Sequence, residues 1–138
     1  MAKKRAPSEH WKDDPEEHDF PAANDYLTLV VPESVATALV DQLRSAGSVR
    51  RKAKDLIRAS RLPLLSADNP EVAKDLKRVL KGELLSPVLL VRGQAAAGMP
   101  LLVADGYHRI CASYHLGEDA DIPCRIAELA VVLRPLSP

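Results

Sequence analysis

Apolar residues recur about every four positions in several stretches of the chain, and this period predicts amphipathic helices. The clearest stretch runs from Glu33 to Ala46 and ends at Gly47. Asn69 precedes Pro70, which is the usual order of an N-cap and a first helical residue. A further run ends at Gly117, a typical C-cap. The pattern therefore predicts four helices, at residues 33–46, 48–60, 70–81 and 107–116.

Shorter apolar runs predict the strands. The runs at residues 87–92 and 100–105 are almost entirely apolar, as strands buried on both faces are. The loop between them contains two glycines, which favours a hairpin-like connection. Two further runs, at residues 26–31 and 122–126, complete the predicted strands. Elements of these lengths predict a mixed α/β (α+β) fold with helices packed on a small mixed sheet.

The first 24 residues differ in composition from the rest. They are polar, contain three prolines and carry mixed charges, so little of this segment can be buried. Trp11 and Phe20 are the exceptions and would dock the segment onto the body. We therefore expect a flexible polar arm over residues 1–24, followed by a single domain over residues 25–138.

Composition and charge narrow the class of protein. Hydrophobic residues make up 46% and charged residues 28%, which is ordinary for a soluble domain, and the formal net charge is zero. Cys111 and Cys124 are too few for a disulfide framework and favour a reducing compartment. No secretory signal is evident, and no apolar run approaches the roughly 18 residues of a membrane span. We expect a cytoplasmic protein without membrane contact.

The junction at Asp105-Gly106 is the strongest candidate site. A buried strand ends there and a helix begins at once, so the first N–H groups of that helix lack intrahelical partners. Glycine allows a sharp turn and a close approach of ligand to backbone. His108 and Arg109 add donors that suit phosphate oxygens, and Asp105 suits Mg²⁺ or proton transfer. The junction therefore predicts an anion site.

A simpler interpretation of the same residues needs no ligand. Asp105 is a favoured N-cap type and would only cap the helix. Arg109 would then be solvated, or would pair with Glu118 or Asp119. Tyr107 would belong to the core or to a pocket wall.

The segments "KGELLSPVLLVRG", "PLLVADGYHRICASYHLG" and "DIPCRI" resemble the ParB/sulfiredoxin-like superfamily, over about residues 69–126. The resemblance implies a compact α/β fold with a nucleotide-phosphate site at the Gly-x-His-Arg motif. In partition proteins of this superfamily the motif contacts CTP phosphates, and in sulfiredoxin it contacts ATP phosphates. Free-serine kinases carry an Asp-Gly-His version of the turn.

Carried onto this chain, the resemblance makes Gly106, Tyr107, His108 and Arg109 the cofactor-binding residues for ATP or CTP. Asp105 becomes the acidic residue that serves Mg²⁺ or catalysis. Tyr107 departs from the pattern, because sulfiredoxin has its reactive cysteine there and partition proteins have a glutamate tied to hydrolysis. The resemblance therefore implies nucleotide binding and leaves open whether a phosphotransferase or hydrolase reaction follows.

Two alternatives use other residues. Five cations would share one arc of the helix predicted at residues 48–61, and they suit a non-catalytic DNA- or partner-binding module, or simply a solvated face. This basic arc comprises Arg50, Arg51, Lys54, Arg58 and Arg61. A zinc site would use His108, Cys111 and His115, spaced for one helix face, together with Cys124.

Overall fold

A four-stranded mixed sheet organises the described part of the chain, and the last of its strands along the chain lies inside it. The computed structural model describes residues 10–129. The strands are β1 (Val49–Lys52), β2 (Val88–Val91), β3 (Leu102–Asp105) and β4 (Asp121–Ala127), in the order β1-β4-β2-β3. β4 pairs antiparallel with β1 and parallel with β2, while β2 and β3 form an antiparallel hairpin. The hairpin prediction is confirmed.

Within the described part of the chain, five helices cover the two faces of this sheet. They are α1 (Asp19–Leu27), α2 (Glu33–Ser45), α3 (Ala53–Ser60), α4 (Pro70–Leu80) and α5 (Tyr107–Leu116). A single 3₁₀ turn, Ala95–Ala97, lies in the hairpin loop. The predicted mixed α/β class is confirmed. Within residues 10–129, no helix has the length and apolar character that a bilayer crossing requires.

The apolar run of β2 is explained by its burial on both faces. Leu89 and Val91 belong to the core on the side of α1 and α2. Val88 and Leu90 belong to the core on the side of α3, α4 and α5. Because side chains of a strand alternate between faces, a strand in the middle of such a sheet needs apolar residues at every position.

Local sequence signals placed several elements correctly. α5 and its C-cap Gly117 lie where the apolar period ends. Asn69 caps α4, since its side-chain oxygen accepts hydrogen bonds from the N–H groups of Glu71 at 3.0 Å and Val72 at 3.2 Å. Leu80, the last residue of α4, is 83% exposed although it is apolar.

The strand predicted at residues 26–31 is wrong. Tyr26 and Leu27 end α1, and the N–H groups of the next residues bond back to carbonyls of that helix, as between Val31 and Leu27 at 2.9 Å. Leu27 is fully buried in the core against α2, whereas Leu29 is 83% exposed. Tertiary packing of Leu27 therefore outweighs the strand propensity of the run.

The helix predicted at residues 48–60 is wrong over its first part. Val49–Lys52 forms β1, and only Ala53–Ser60 is helical. β1 pairs with β4, with Val49 opposite Cys124. Pairing with β4 supplies the backbone hydrogen bonds that a helix would otherwise make. β1 lies at the edge of the sheet, and charged side chains are typical of edge strands.

The flexible arm predicted over residues 1–24 is wrong for much of its length. Trp11 and Phe20 are buried, and Trp11 forms a bridge to Leu85. Asp19 begins α1, which packs against α2 and β3. Two aromatic side chains thus anchor a segment whose average composition is polar. Residues 1–9 lie outside the described residues.

Candidate anion-binding site

Gly106 forms the turn between β3 and α5, and its conformation calls for glycine. Its φ of 112° lies in the left-handed region that L side chains rarely adopt. A Cβ atom there would lie 2.5 Å from Val88 Cγ1. Gly106 is the N-cap of α5, so the interpretation of Asp105 as the cap is wrong: Asp105 is the last residue of β3.

The first turn of α5 presents backbone N–H groups at the helix end. The first intrahelical bond runs from the Ile110 N–H to the Gly106 carbonyl at 3.0 Å. The N–H groups of residues 107–109 precede it, and the glycine N-cap offers no side chain to them. The helix dipole adds partial positive charge at this end. An anion with oxygen acceptors fits such a position.

This end of α5 opens into a cavity of about 210 Å³. α4 lies beside α5 here, and Val72 of α4 packs against Cys111 and Ala112 of α5. Residues 105–109, which were all predicted to belong to the site, line the cavity together. α4 contributes four charged side chains that the sequence analysis missed: Glu71, Lys74, Asp75 and Arg78.

The side chain of Arg109 is oriented by Asp105, the last residue of β3. Its guanidinium donates to Asp105 Oδ2 at 3.0 Å and, more weakly, to the Pro87 carbonyl at 3.4 Å. The side chain is 16% exposed, and its Nε has no partner among the described residues. The alternative pairing with Glu118 or Asp119 does not occur, because Glu118 accepts from Tyr114 and Asp119 pairs with Lys54.

Burial changes the acidity of two carboxyls at the cavity. Burial raises the pKa of Asp105, the positive charge of Arg109 opposes that rise, and the nearby Asp19 carboxyl adds to it. Burial also raises the pKa of Asp75, against the positive charges of Arg109 and Arg78. Carboxyls with raised pKa values hold a proton more readily, and they repel an anion less than exposed carboxylates do.

Tyr107 and His108 differ in how tightly the protein holds them. The Tyr107 hydroxyl donates to the Pro63 carbonyl, which ties the loop after α3 to the start of α5. The His108 ring lies 5.6 Å from the Tyr107 ring, centroid to centroid, and lines the cavity. Tyr107 thus has a packing role here, while His108 is available to a ligand.

The N-terminal segment lies on the buried side of the site, where Asp19 interacts with Asp105. The Ser86 hydroxyl donates to Asp19 and accepts from the Glu16 N–H at 3.1 Å. Asp19 is 3% exposed and influences Asp105 from this buried position. No local signal marks Asp19 as part of the site, because its proximity to Asp105 depends on α1 packing against β3.

The predicted basic arc is not one surface. Arg50 and Arg51 lie on β1, where neighbouring side chains point to opposite faces. Lys54 and Arg58 lie on α3 and pair with Asp119 and Asp55. Arg61, the fifth member, is the left-handed C-cap of α3. The arc was derived from a helix that does not begin until Ala53, so the prediction of a single basic helix face is wrong.

The predicted zinc site is also wrong. Cys124 lies on β4 in the core, and its thiol donates to the Ile122 carbonyl. His115 lies against the Leu65 carbonyl at 2.7 Å. Within residues 10–129, no three His, Cys, Asp or Glu side chains are arranged to hold a metal ion. The helical spacing of His108, Cys111 and His115 therefore does not bring ligands together.

No family model matches the chain, and no curated protein and no solved structure matches it.

Proposed function

We propose that this protein binds the phosphate groups of a nucleotide, ATP or CTP with Mg²⁺, at the N-terminus of α5. The observation that carries the proposal is the opening of this uncapped helix end into a cavity lined by basic side chains from two helices. Lys74 and Arg78 come from α4, and His108 and Arg109 come from α5, beside the carboxyls of Glu71, Asp75 and Asp105. Phosphate oxygens would accept from the backbone of residues 107–109 and from these side chains.

The cavity size favours a phosphate group over a whole nucleotide. Its volume of about 210 Å³ is below the range of roughly 300–1,000 Å³ for pockets that enclose an organic ligand. The base and ribose would therefore extend beyond it. A charge-assisted hydrogen bond contributes roughly 1.5–3 kcal/mol, and micromolar binding needs about 8 kcal/mol. About three to six such contacts would supply this free energy.

Asp105 is the residue we assign to the metal or to proton transfer. It lies at the cavity, and its burial favours a proton-holding role. When ionised it would offer carboxylate oxygens to a Mg²⁺ ion that bridges to the phosphates. In either role it must share its oxygens with Arg109. A phosphotransferase or hydrolase reaction is the chemistry that such a site would serve.

Calorimetric titration of ATP and CTP, with and without Mg²⁺, tests the proposal. We expect Lys74→Ala to weaken binding about tenfold, the value of one charge-assisted contact. Lys77→Ala is the matched control, because Lys77 lies on the same helix outside this cavity. Absence of binding to wild type, or equal binding by both variants and wild type, would overturn the proposal.

The alternative function, a non-catalytic DNA- or partner-binding module, would use the basic arc defined above. Its five members would contact DNA from a strand, a helix and a helix end. A variant with Arg50→Ala and Arg51→Ala tests that alternative, and it also serves as a control below.

A further inference from the structure

We infer that the outer face of α4 is a second binding surface, which contacts the phosphodiester backbone of double-stranded nucleic acid. Four cations define this α4 basic face. They are Lys74, Lys77, Arg78 and Lys81, at helical positions i, i+3, i+4 and i+7. Residues spaced in this way share one side of a helix. They line a groove of about 560 Å³ along α4.

Among the described residues, only Arg78 of this face has acidic partners, Asp75 and Glu83. Within residues 10–129, Lys74, Lys77 and Lys81 form no salt bridge, and all three are exposed. The only carboxylate that lines the groove is Glu83, and it pairs with Arg78 at 3.3 Å. The basic arc differs in its arrangement: Lys54 and Arg58 are paired with acids, and its unpaired members Arg50, Arg51 and Arg61 are divided between β1 and the end of α3. Within residues 10–129, the three unpaired lysines of α4 share one helix face.

The chemistry of the groove favours nucleic acid over an acidic protein. Lysine is depleted at protein–protein interfaces, whereas lysine and arginine make the phosphate contacts of nucleic-acid complexes. From Lys74 to Lys81 the face extends about 10 Å along the helix axis, which matches about three phosphates of one strand. The remaining groove lining, Pro70 and Ala73, adds no bulk that would hold the phosphates away.

The residues absent from this lining indicate which form of nucleic acid fits. Among the described residues that line the groove, there is no aromatic side chain on which an unpaired base would stack. The same described lining has no Asn or Gln side chain for reading base edges. Contacts would be made to the backbone alone. Binding to duplex is thus expected without sequence preference and with strong dependence on salt.

This inference does not require nucleotide binding at α5, although Lys74 and Arg78 line both cavities. Lys77 and Lys81 line only the groove, so they separate the two proposals. Lys77→Ala/Lys81→Ala should weaken duplex binding and leave ATP binding unchanged. His108→Ala should have the reverse effect, because His108 lines only the α5 cavity.

Fluorescence anisotropy with a labelled random-sequence DNA duplex of about 20 base pairs, titrated at several salt concentrations, tests the inference. For wild type, three to four contacts predict a slope of log affinity against log salt of about −3. Lys77→Ala/Lys81→Ala should reduce that slope by about 2 and the affinity by about tenfold or more. Arg50→Ala/Arg51→Ala removes the same charge elsewhere and should change affinity less than about twofold.

Three results would overturn the inference: no duplex binding by wild type at low salt, equal losses in the two double variants, or displacement of duplex by poly-glutamate at equal charge concentration. The last would identify an acidic polypeptide as the partner.

Lysine acetylation followed by mass spectrometry gives an independent measurement on unmutated protein. Duplex should protect Lys77 and Lys81 and leave Lys54 reactive, and protection of Lys54 instead would also contradict the inference.

Discussion

Arg109 and Asp105, two residues predicted to meet a ligand, meet each other: a guanidinium nitrogen lies 3.0 Å from Asp105 Oδ2. Both side chains are less than one-fifth exposed. The pair joins the end of β3 to the first turn of α5. Its strength depends on burial, because an exposed pair at this spacing would contribute little. A ligand that binds Arg109 at the cavity must therefore either displace Asp105 from the guanidinium or bind beside it.

Asp105→Asn separates the two roles of this pair. The amide releases Arg109 from an ionic partner, so binding of Mg²⁺-free ATP should tighten about tenfold, by one charge-assisted contact. The same change removes a metal ligand, so the increase in affinity on adding Mg²⁺ should disappear. Calorimetric titrations of wild type and variant, each with Mg²⁺ and with a chelator, measure both effects. A variant that keeps the wild-type response to Mg²⁺ would show that Asp105 does not serve the metal.

Gly106→Ala should destabilise the fold and the site together. The added methyl group meets Val88 Cγ1 at 2.5 Å, and the φ of 112° is strained for alanine. Overpacking and strain predict a loss of about 2–4 kcal/mol in the free energy of unfolding. Gly98→Ala is the control, since Gly98 also has positive φ but no atom within 4 Å of the added methyl group. Urea denaturation measures both variants, and equal losses would mean that contact with Val88 is unimportant.

Trp11→Ala tests the anchoring of the N-terminal segment. Trp11 is 6% exposed and packs in the core on the side of α3, α4 and α5. Loss of a buried aromatic side chain predicts a decrease of about 3–5 kcal/mol in the free energy of unfolding. Leu29→Ala, at a side chain that is 83% exposed, should change it by less than about 0.5 kcal/mol. Similar values for the two variants in thermal or urea unfolding would contradict the packing of this segment.

Asp75 should make the free energy of unfolding fall as pH rises, because its pKa is raised in the folded state. Burial raises its pKa above the ordinary value of 3.8, so the folded state holds the proton more tightly than the unfolded state. Its contribution is present below the unfolded pKa and is lost as pH rises through the folded pKa. The free energy of unfolding of Asp75→Asn, relative to wild type, should therefore increase as pH rises from the ordinary pKa of 3.8 through the folded pKa.

Asp119→Asn is the control of opposite sign. A hydrogen bond and the positive charge of Lys54 lower the pKa of Asp119, so its contribution is present above the ordinary pKa and is lost as pH falls. Relative to wild type, this variant should become less stable as pH rises toward the ordinary pKa of 3.8, and the difference should stay constant at higher pH. Urea denaturation at a series of pH values measures both, and parallel curves for the two variants would contradict the assignment.

Local sequence signals predicted one part of the candidate site and not the other. The turn at Gly106 and the start of α5 followed from the change of period at the end of an apolar run. The partners on α4 did not follow, because Lys74, Asp75 and Arg78 occupy polar positions that would suit a solvated helix face. The spacing of the α4 basic face was visible in the sequence, but only the tertiary structure distinguished it from the basic arc, because the arc is divided between β1 and α3.

The amino-acid sequence by itself determined the elements that carry strong local signals: the cap at Asn69, the doubly buried β2 and the whole of α5. Capping groups and apolar periods act within a few residues, so they can be read without knowing the fold. Only the tertiary structure decided that residues 26–31 end a helix, that Val49–Lys52 is a strand, and that α4 faces α5. Those outcomes depend on contacts between segments distant along the chain, whose packing energy outweighs local propensity.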